Sequence, residues 1–493
     1  MAIVFWAGLS SAWQCGAVPS ICWLSMVKRL YLTARRRGGV KNRLDFKIQR
    51  AQNTPGPFPI PLPESENYKA GVIYGQKELN SFKPLIHSAS KMGADILVLP
   101  VLEPSEMPSY DEAVKSISES AKQAGVYVVL NLLEHTHCQM GKEHIRSNLV
   151  FDREGSVVAV YRKPVNALSN CTTSSSDLVT FTTDFGVTFG VLMEEDLVLR
   201  DPQQLRGLRN FVMAGVWHSE IAMLNAPQFS SSWSYINNVN LLTNFGVYSG
   251  KTNMKDSEEL SVVELQKNGR KDYHLAPVVT KSLVSEDLSQ YIIKPLDLQT
   301  STHGLQDTVC HTGFCCHFYV KTAKEDVHPD ITYSLAAYNG VRRYSDSYNI
   351  GAQNCGVFAC SGKQKHCVSG LQKNTIKFER ISIAANFSKQ TTQYPIVQAA
   401  LPTEEATFDV KSDGISNQVT LNIVDGQNVV NFGIFGRDYT KDFELSYAFE
   451  KNATKTVDDG SIFNEEIQEV VDYIWIRLRV LIVVVSIYIL EMM

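Results

Sequence analysis

From Tyr68 onward, short β-branched runs alternate with stretches of helical apolar spacing. Residues 70–74 (AGVIY) predict a strand, 79–91 a helix, and 95–99 (DILVL) a second strand ending at Pro100. Residues 110–125 predict a helix with glycine at its stop, and 126–133 (VYVVLNLL) a buried strand. Two alternating strands, 147–151 and 156–161, flank a turn at 152–155. Repeated strand–helix–strand order predicts an α/β layered domain. Farther on, residues 417–438 alternate again (VTLNIV, VVNFGIF) and predict a β-rich unit, whereas 229–234 (FSSSWS) reads as a polar loop.

The two ends break the pattern. Residues 1–26 are largely apolar and precede a basic run at 28–43, the reverse of the charge order in a secretory signal. Residues 53–66 are proline-rich and read as an extended linker, so 1–67 forms an atypical N-terminal segment. At the other end, 480–490 (VLIVVVSIYIL) falls short of the ~20 residues a spanning helix needs. Its length suits a glycolipid-anchor tail, and equally a final buried strand or helix. The expected organisation is therefore 1–67, an α/β domain at 68–290, a β-rich domain at 291–462 and an apolar tail at 463–493.

Length supports this division, because 493 residues exceed one ordinary core. The 47 basic and 51 acidic side chains nearly balance, which offers no footprint for nucleic acid. Cysteine placement is more informative. Cys310, Cys315, Cys316, Cys355, Cys360 and Cys367 crowd into one region, an even set that reads as a disulfide framework of an oxidising compartment. A zinc module is the rival, but its paired C-x2-C spacing is missing. Sequons at Asn170, Asn386 and Asn452 agree with passage through the secretory pathway. No phosphate loop, dinucleotide fingerprint or G-x-S-x-G elbow is present, and no cofactor is expected. His135 and His137 share one strand face, but no further metal ligands accompany them, so no metal site is expected.

Several segments carry a specific resemblance. Asn148 to Lys163 (NLVFDREGSVVAVYRK) resembles the nitrilase-superfamily segment that leads into its catalytic lysine. Gly190-Val-Leu-Met-Glu-Glu-Asp196, followed by Arg200-Asp-Pro202, resembles the vanin stretch that holds the nucleophile. Gly93 to Pro100 resembles the strand that delivers the catalytic glutamate, and the cluster from Cys310 to Cys367 resembles the vanin C-terminal cysteine pattern. The chain thus resembles the vanin/biotinidase (pantetheinase-like) branch of the nitrilase superfamily, insect vanin-like type. That resemblance implies a nitrilase-like αββα sandwich followed by a smaller, disulfide-bearing β-rich domain.

The superfamily hydrolyses amides with a cysteine thiolate, a glutamate that moves the proton and a lysine that faces the oxyanion. Lys163 fits the lysine position. Val101 stands where the glutamate should be, and Glu194 where the cysteine should be. Neither can make a thioester. Glu103 and Cys171 are the nearest candidates for displaced chemistry. A buried lone lysine charge is costly, so Glu194 is expected to pair with Lys163. The leading expectation is a catalytically inactive, secreted or surface-attached binding or regulatory module for a pantetheine-like or biotinyl amide. The alternative is an active amide hydrolase using displaced residues, and a third reading is a decaying or misassembled gene product.

Overall fold

The computed structural model describes residues 65–444 except 76, 103–107, 139–140, 166–177, 219–220, 250–258, 270–273, 280–284, 324–331, 346–347, 361–365 and 369–375. The expectations for the N-terminal segment, the apolar tail, Glu103, Asn170, Cys171 and Asn452 lie outside the described residues, as do the side chains of His135, His137, Cys138 and Cys367.

The first six-stranded sheet has the order β11-β1-β2-β3-β4-β5. Its strands are β1 (Asn67–Ile73), β2 (Ile96–Val98), β3 (Tyr127–Cys138), β4 (Gly141–Phe151), β5 (Val157–Pro164) and β11 (Leu260–Gln266). The second sheet runs β10-β9-β8-β7-β6, made of β6 (Val179–Thr182), β7 (Thr188–Leu192), β8 (Asn210–Met213), β9 (Asn240–Thr243) and β10 (Gly246–Tyr248). Helices α1 (Phe82–Lys91) and α2 (Tyr110–Ala124) cover the first sheet through Phe82, Ile86, Ile117 and Ala121. Between the sheets lies a core of Val72, Val98, Val129, Phe189, Val191 and Val212. The short α3 (Glu194–Leu199) and α4 (Ala226–Asn237) cover the second sheet. These four layers are the αββα sandwich.

Local chemistry sets the helix ends. Ser109 caps α2 by accepting from the Glu112 N–H, and Gly125 stops it in the left-handed region at φ 66°. The polar loop expected at 229–234 is instead the middle of α4. Asn225 caps that helix on the Gln228 N–H, Pro227 occupies its first turn and Asn238 ends it at φ 51°. Its serines are buried, because α4 lies between two sheets and short side chains permit close packing on both sides.

The β-rich region is a sandwich of two six-stranded sheets. One has the order β12-β23-β24-β21-β17-β16, from β12 (His274–Leu275), β16 (Leu305–His311), β17 (Phe314–Thr322), β21 (Lys377–Ser388), β23 (Ala406–Ser412) and β24 (Ser416–Gln427). The other runs β13-β22-β25-β19-β18-β15, from β13 (Val278–Val279), β15 (Ile292–Leu296), β18 (Thr332–Tyr344), β19 (Tyr348–Cys360), β22 (Thr391–Ala399) and β25 (Val429–Glu444). A small pair, β14 (Ser285–Asp287) with β20 (His366–Val368), stands beside them. The second of these sheets packs Tyr394, Ile396 and Phe435 against Phe229 and Trp233 of α4, so the sandwich continues the layered stack. Among the described residues no helix is long and apolar enough to cross a membrane.

Candidate active site

Strands β4 and β5 are antiparallel neighbours, and their register sets Arg146 opposite Lys163 and Asn148 opposite Tyr161. The two-residue period keeps these four on one face, which is the interior of the sandwich. Asn148 donates to the carbonyls of Leu192 at 2.8 Å and Ala214 at 2.9 Å, where β7 and β8 end. Asn131 adds bonds to Asn148 Oδ1 at 2.8 Å and to the Ala214 carbonyl at 3.2 Å. Together these amides fix where the chain leaves β7, and hence where α3 begins.

α3 opens with three consecutive acids, and its first turn is held by Asp196 Oδ2 accepting from the Met193 N–H at 2.7 Å. Anionic side chains suit a helix N-terminus. Glu194 is fully buried and ion-pairs with Arg146, whose second Nη reaches Glu195 Oε1 at 2.6 Å. Lys163 Nζ lies 2.7 Å from Asp196 Oδ1 and 3.9 Å from Glu195 Oε2. The expected Glu194–Lys163 pair is therefore corrected: Arg146 takes Glu194, and Lys163 takes Asp196. A forked guanidinium can bind two carboxylates at once, which a single ammonium in its place does less well.

The cluster continues outward. The Tyr161 hydroxyl donates to Asp196 Oδ1 at 3.1 Å, and burial together with that negative charge pushes its phenol well above the usual range. For Arg200, 3.5 Å from Asp196, burial lowers the pKa, but the charge and hydrogen bonds of Asp196 and Tyr161 together more than offset it and the pKa rises. Arg146, Lys163 and Arg200 thus face Glu194, Glu195 and Asp196 in balance. Glu194 Oε2 is buried without a hydrogen-bond partner and lies against Gly215, where any Cβ would overlap it. Glu194, Glu195 and His218 also bring ligand atoms within 4.8 Å of one another. Arg146 already supplies the positive charge against both of those carboxylates.

Val101 is half-buried beyond the end of β2, next to Leu102, which forms an isolated bridge with Lys77. The registers of β2 with β3, β3 with β4 and β4 with β5 direct it to the rim of the sheet that carries Arg146 and Lys163. The β-rich region supports the same place from behind. Arg437 Nε donates to the Val198 carbonyl at the end of α3 at 2.9 Å, and the Tyr344 ring meets His218 edge-on at 6.2 Å.

Residues 281–442 match the family model of the vanin C-terminal domain. The chain is 26% identical to vanin-like protein 1 of Drosophila melanogaster, covering 79% of this chain and 89% of that protein. It is 28% identical to vanin-like protein 2 of the same organism, covering 70% and 78% respectively. Biotinidase of Takifugu rubripes is 21% identical over 53% of this chain and 62% of its own length. These matches support the vanin/biotinidase branch of the carbon–nitrogen hydrolase superfamily. Among solved structures, an amidase from Nesterenkonia sp. aligns at 16% identity with a TM-score of 0.29, covering 42% of this chain and 85% of its own.

Within the vanin C-terminal region the described cysteines, Cys310, Cys315, Cys316, Cys355 and Cys360, are disulfide-bonded and not a zinc set. Cys310 bonds Cys315 across the β16–β17 hairpin, Cys316 bonds Cys355 from one sheet to the other, and Cys360 is disulfide-bonded as well. Sequence reasoning missed Arg146, Asp196 and Asn148 as members of this vanin-like site. A signal existed: Arg146 and Asn148 alternate along a strand of otherwise core-forming residues, and Asp196 ends a run of three acids in an apolar setting.

Proposed function

We propose that this vanin-like protein is catalytically inactive and acts as an extracellular binding or regulatory module. One observation carries the proposal: Glu194, at the position expected for the nucleophile, is a buried carboxylate tied to Arg146. Superfamily chemistry requires a thiolate to attack the amide carbonyl and form an acyl thioester. A carboxylate neutralised by a guanidinium is a poor nucleophile, and Lys163 is engaged by Asp196 in place of an oxyanion. Val101 offers no group to carry the proton.

The ligand class follows from the branch: a pantetheine-like or biotinyl amide, held without turnover. The test is calorimetric titration of the purified chain with pantetheine and with a biotinyl amide, alongside assay of amine release. Binding without release is the expected result, and release by the native chain contradicts it. Release confined to a Glu194→Cys, Val101→Glu double variant would locate the lesion at those two positions.

Extracellular placement draws support from the disulfides and from Asn386. The Asn386 side chain is exposed on β21 while the next residue, Phe387, is fully buried, so a glycan there would project away from the core. Chain produced through a eukaryotic secretory pathway is expected to lose mass on endoglycosidase treatment. An Asn386→Gln variant should lose correspondingly less, and an equal loss would contradict glycosylation at this site.

A further inference from the structure

The seam between the αββα sandwich and the β-rich region contains a buried carboxyl that the candidate active site does not use. Glu286, on β14, is 3% exposed. Its Oε2 accepts from the Met223 N–H at 2.9 Å, on the sandwich side, and its Oε1 accepts from the Asn431 amide of β25. Asn431 also donates to Gln398 Oε1 of β22 at 3.2 Å, and Gln228 of α4 donates to the same oxygen. One carboxyl therefore joins groups on both sides of the seam.

Met223 is a knob at this junction. Its backbone sits in the left-handed region at φ 67°, unusual for a residue with a side chain. Its thioether fills a hollow that exists because Gly356 and Gly433 lack a Cβ; a Cβ at either would overlap it. The bond from Glu286 holds the Met223 backbone in the conformation that aims this knob.

The hydrogen-bond count around Glu286 is short of a donor. Gln228 Oε1 and Asn431 Oδ1 are both buried acceptors without a partner. Buried polar atoms are nearly always satisfied, and leaving one unpaired costs about 1–3 kcal/mol. A carboxylate can only accept, whereas a carboxylic acid also donates one hydrogen, which rotation of either neighbouring amide can receive.

We propose that Glu286 is a proton-operated latch: as the neutral acid it fastens Met223 and Asn431 across the seam, and ionisation loosens them. Burial pushes its carboxyl up to about 7, while the bonds from Met223, Asn431 and Gln228 pull the other way. Among the described residues, the loop bearing Met223, α4, β22 and β25 bring only neutral groups to it. Tyr291 is the titratable neighbour, its phenol itself pushed up by burial. On β14, Asp287 is engaged by Arg342 at 3.4 Å, and His366 of β20 pairs with Asp287 along the backbone.

The sign follows from a folded pKa above the unfolded one. The stabilisation is complete below the ordinary carboxyl range and is lost as pH rises through about 7. The test is the rate of Met223 sulfoxidation by dilute hydrogen peroxide, read by peptide mass spectrometry at about pH 5 and about pH 8. The native chain is expected to oxidise at Met223 several-fold faster at the higher pH, while Glu286→Gln stays slow at both. In parallel, the native Tm should fall by roughly 5 °C relative to the variant over the same interval. Equal pH profiles in the two proteins overturn the proposal. If the variant does not fold, infrared spectra of the native chain decide. A protonated-carboxyl band that persists above about pH 6 and vanishes by about pH 8 supports the latch, and its absence above about pH 6 overturns it.

Discussion

Replacing Arg146 with methionine is expected to destabilise the protein by about 3–5 kcal/mol, the usual cost of removing one partner from a buried ion pair. The side chain is 11% exposed and faces Glu194 and Glu195, which are 0% and 7% exposed, so its loss leaves two carboxylates with little access to water. Lys163 cannot take over without abandoning Asp196, which also receives the Tyr161 hydroxyl and the Met193 N–H. The decisive comparison is urea denaturation of Arg146→Met and of the triple variant Arg146→Met, Glu194→Leu, Glu195→Gln. Removing the acids with the base should recover most of the loss, because members of one ion network are strongly non-additive. A loss below about 1 kcal/mol for the single variant would place the pair in the class of exposed bridges and contradict its burial.

Removing the Cys316–Cys355 disulfide is expected to cost about 4 kcal/mol, against about 2 kcal/mol for Cys310–Cys315. The difference comes from loop length: the first bond spans 39 residues in sequence and the second only 5. Constraint on the unfolded chain grows with the logarithm of that span. Location acts in the same direction. Cys316 and Cys355 are fully buried between the two sheets, whereas the Cys310–Cys315 bond closes a hairpin whose β16–β17 pairing already sets those residues opposite each other. Paired cysteine-to-alanine variants compared by chemical denaturation check the order. Equal losses, or a larger loss from the hairpin bond, would contradict it.

Much of the fold could be read from the chain because its signals were local. The apolar run at 126–133 and the alternation at 147–161 mark β3 to β5, and the glycine stop at 125 marks the end of α2. α4 was hidden because burial between two sheets replaced its amphipathic pattern with serines. The site was half legible. Motifs pointed to Lys163 and Glu194, and the resemblance implied a carboxylate where a thiol is expected. The partners were not legible, since they depend on strand register: Arg146 stands opposite Lys163 only once β4 and β5 are paired. The Glu286 cluster was beyond sequence altogether, because it joins residues up to 208 positions apart, from Met223 to Asn431.

The central claim, that position 194 can hold no acyl group, is tested most directly by intact-protein mass spectrometry. The native chain is incubated with pantetheine or a biotinyl amide, quenched in acid and weighed, with the Glu194→Cys, Val101→Glu variant treated in parallel. The native mass should remain unchanged at every time point. An added acyl mass on the native chain, mapped by digestion to Glu194 or to any other residue, would contradict the account.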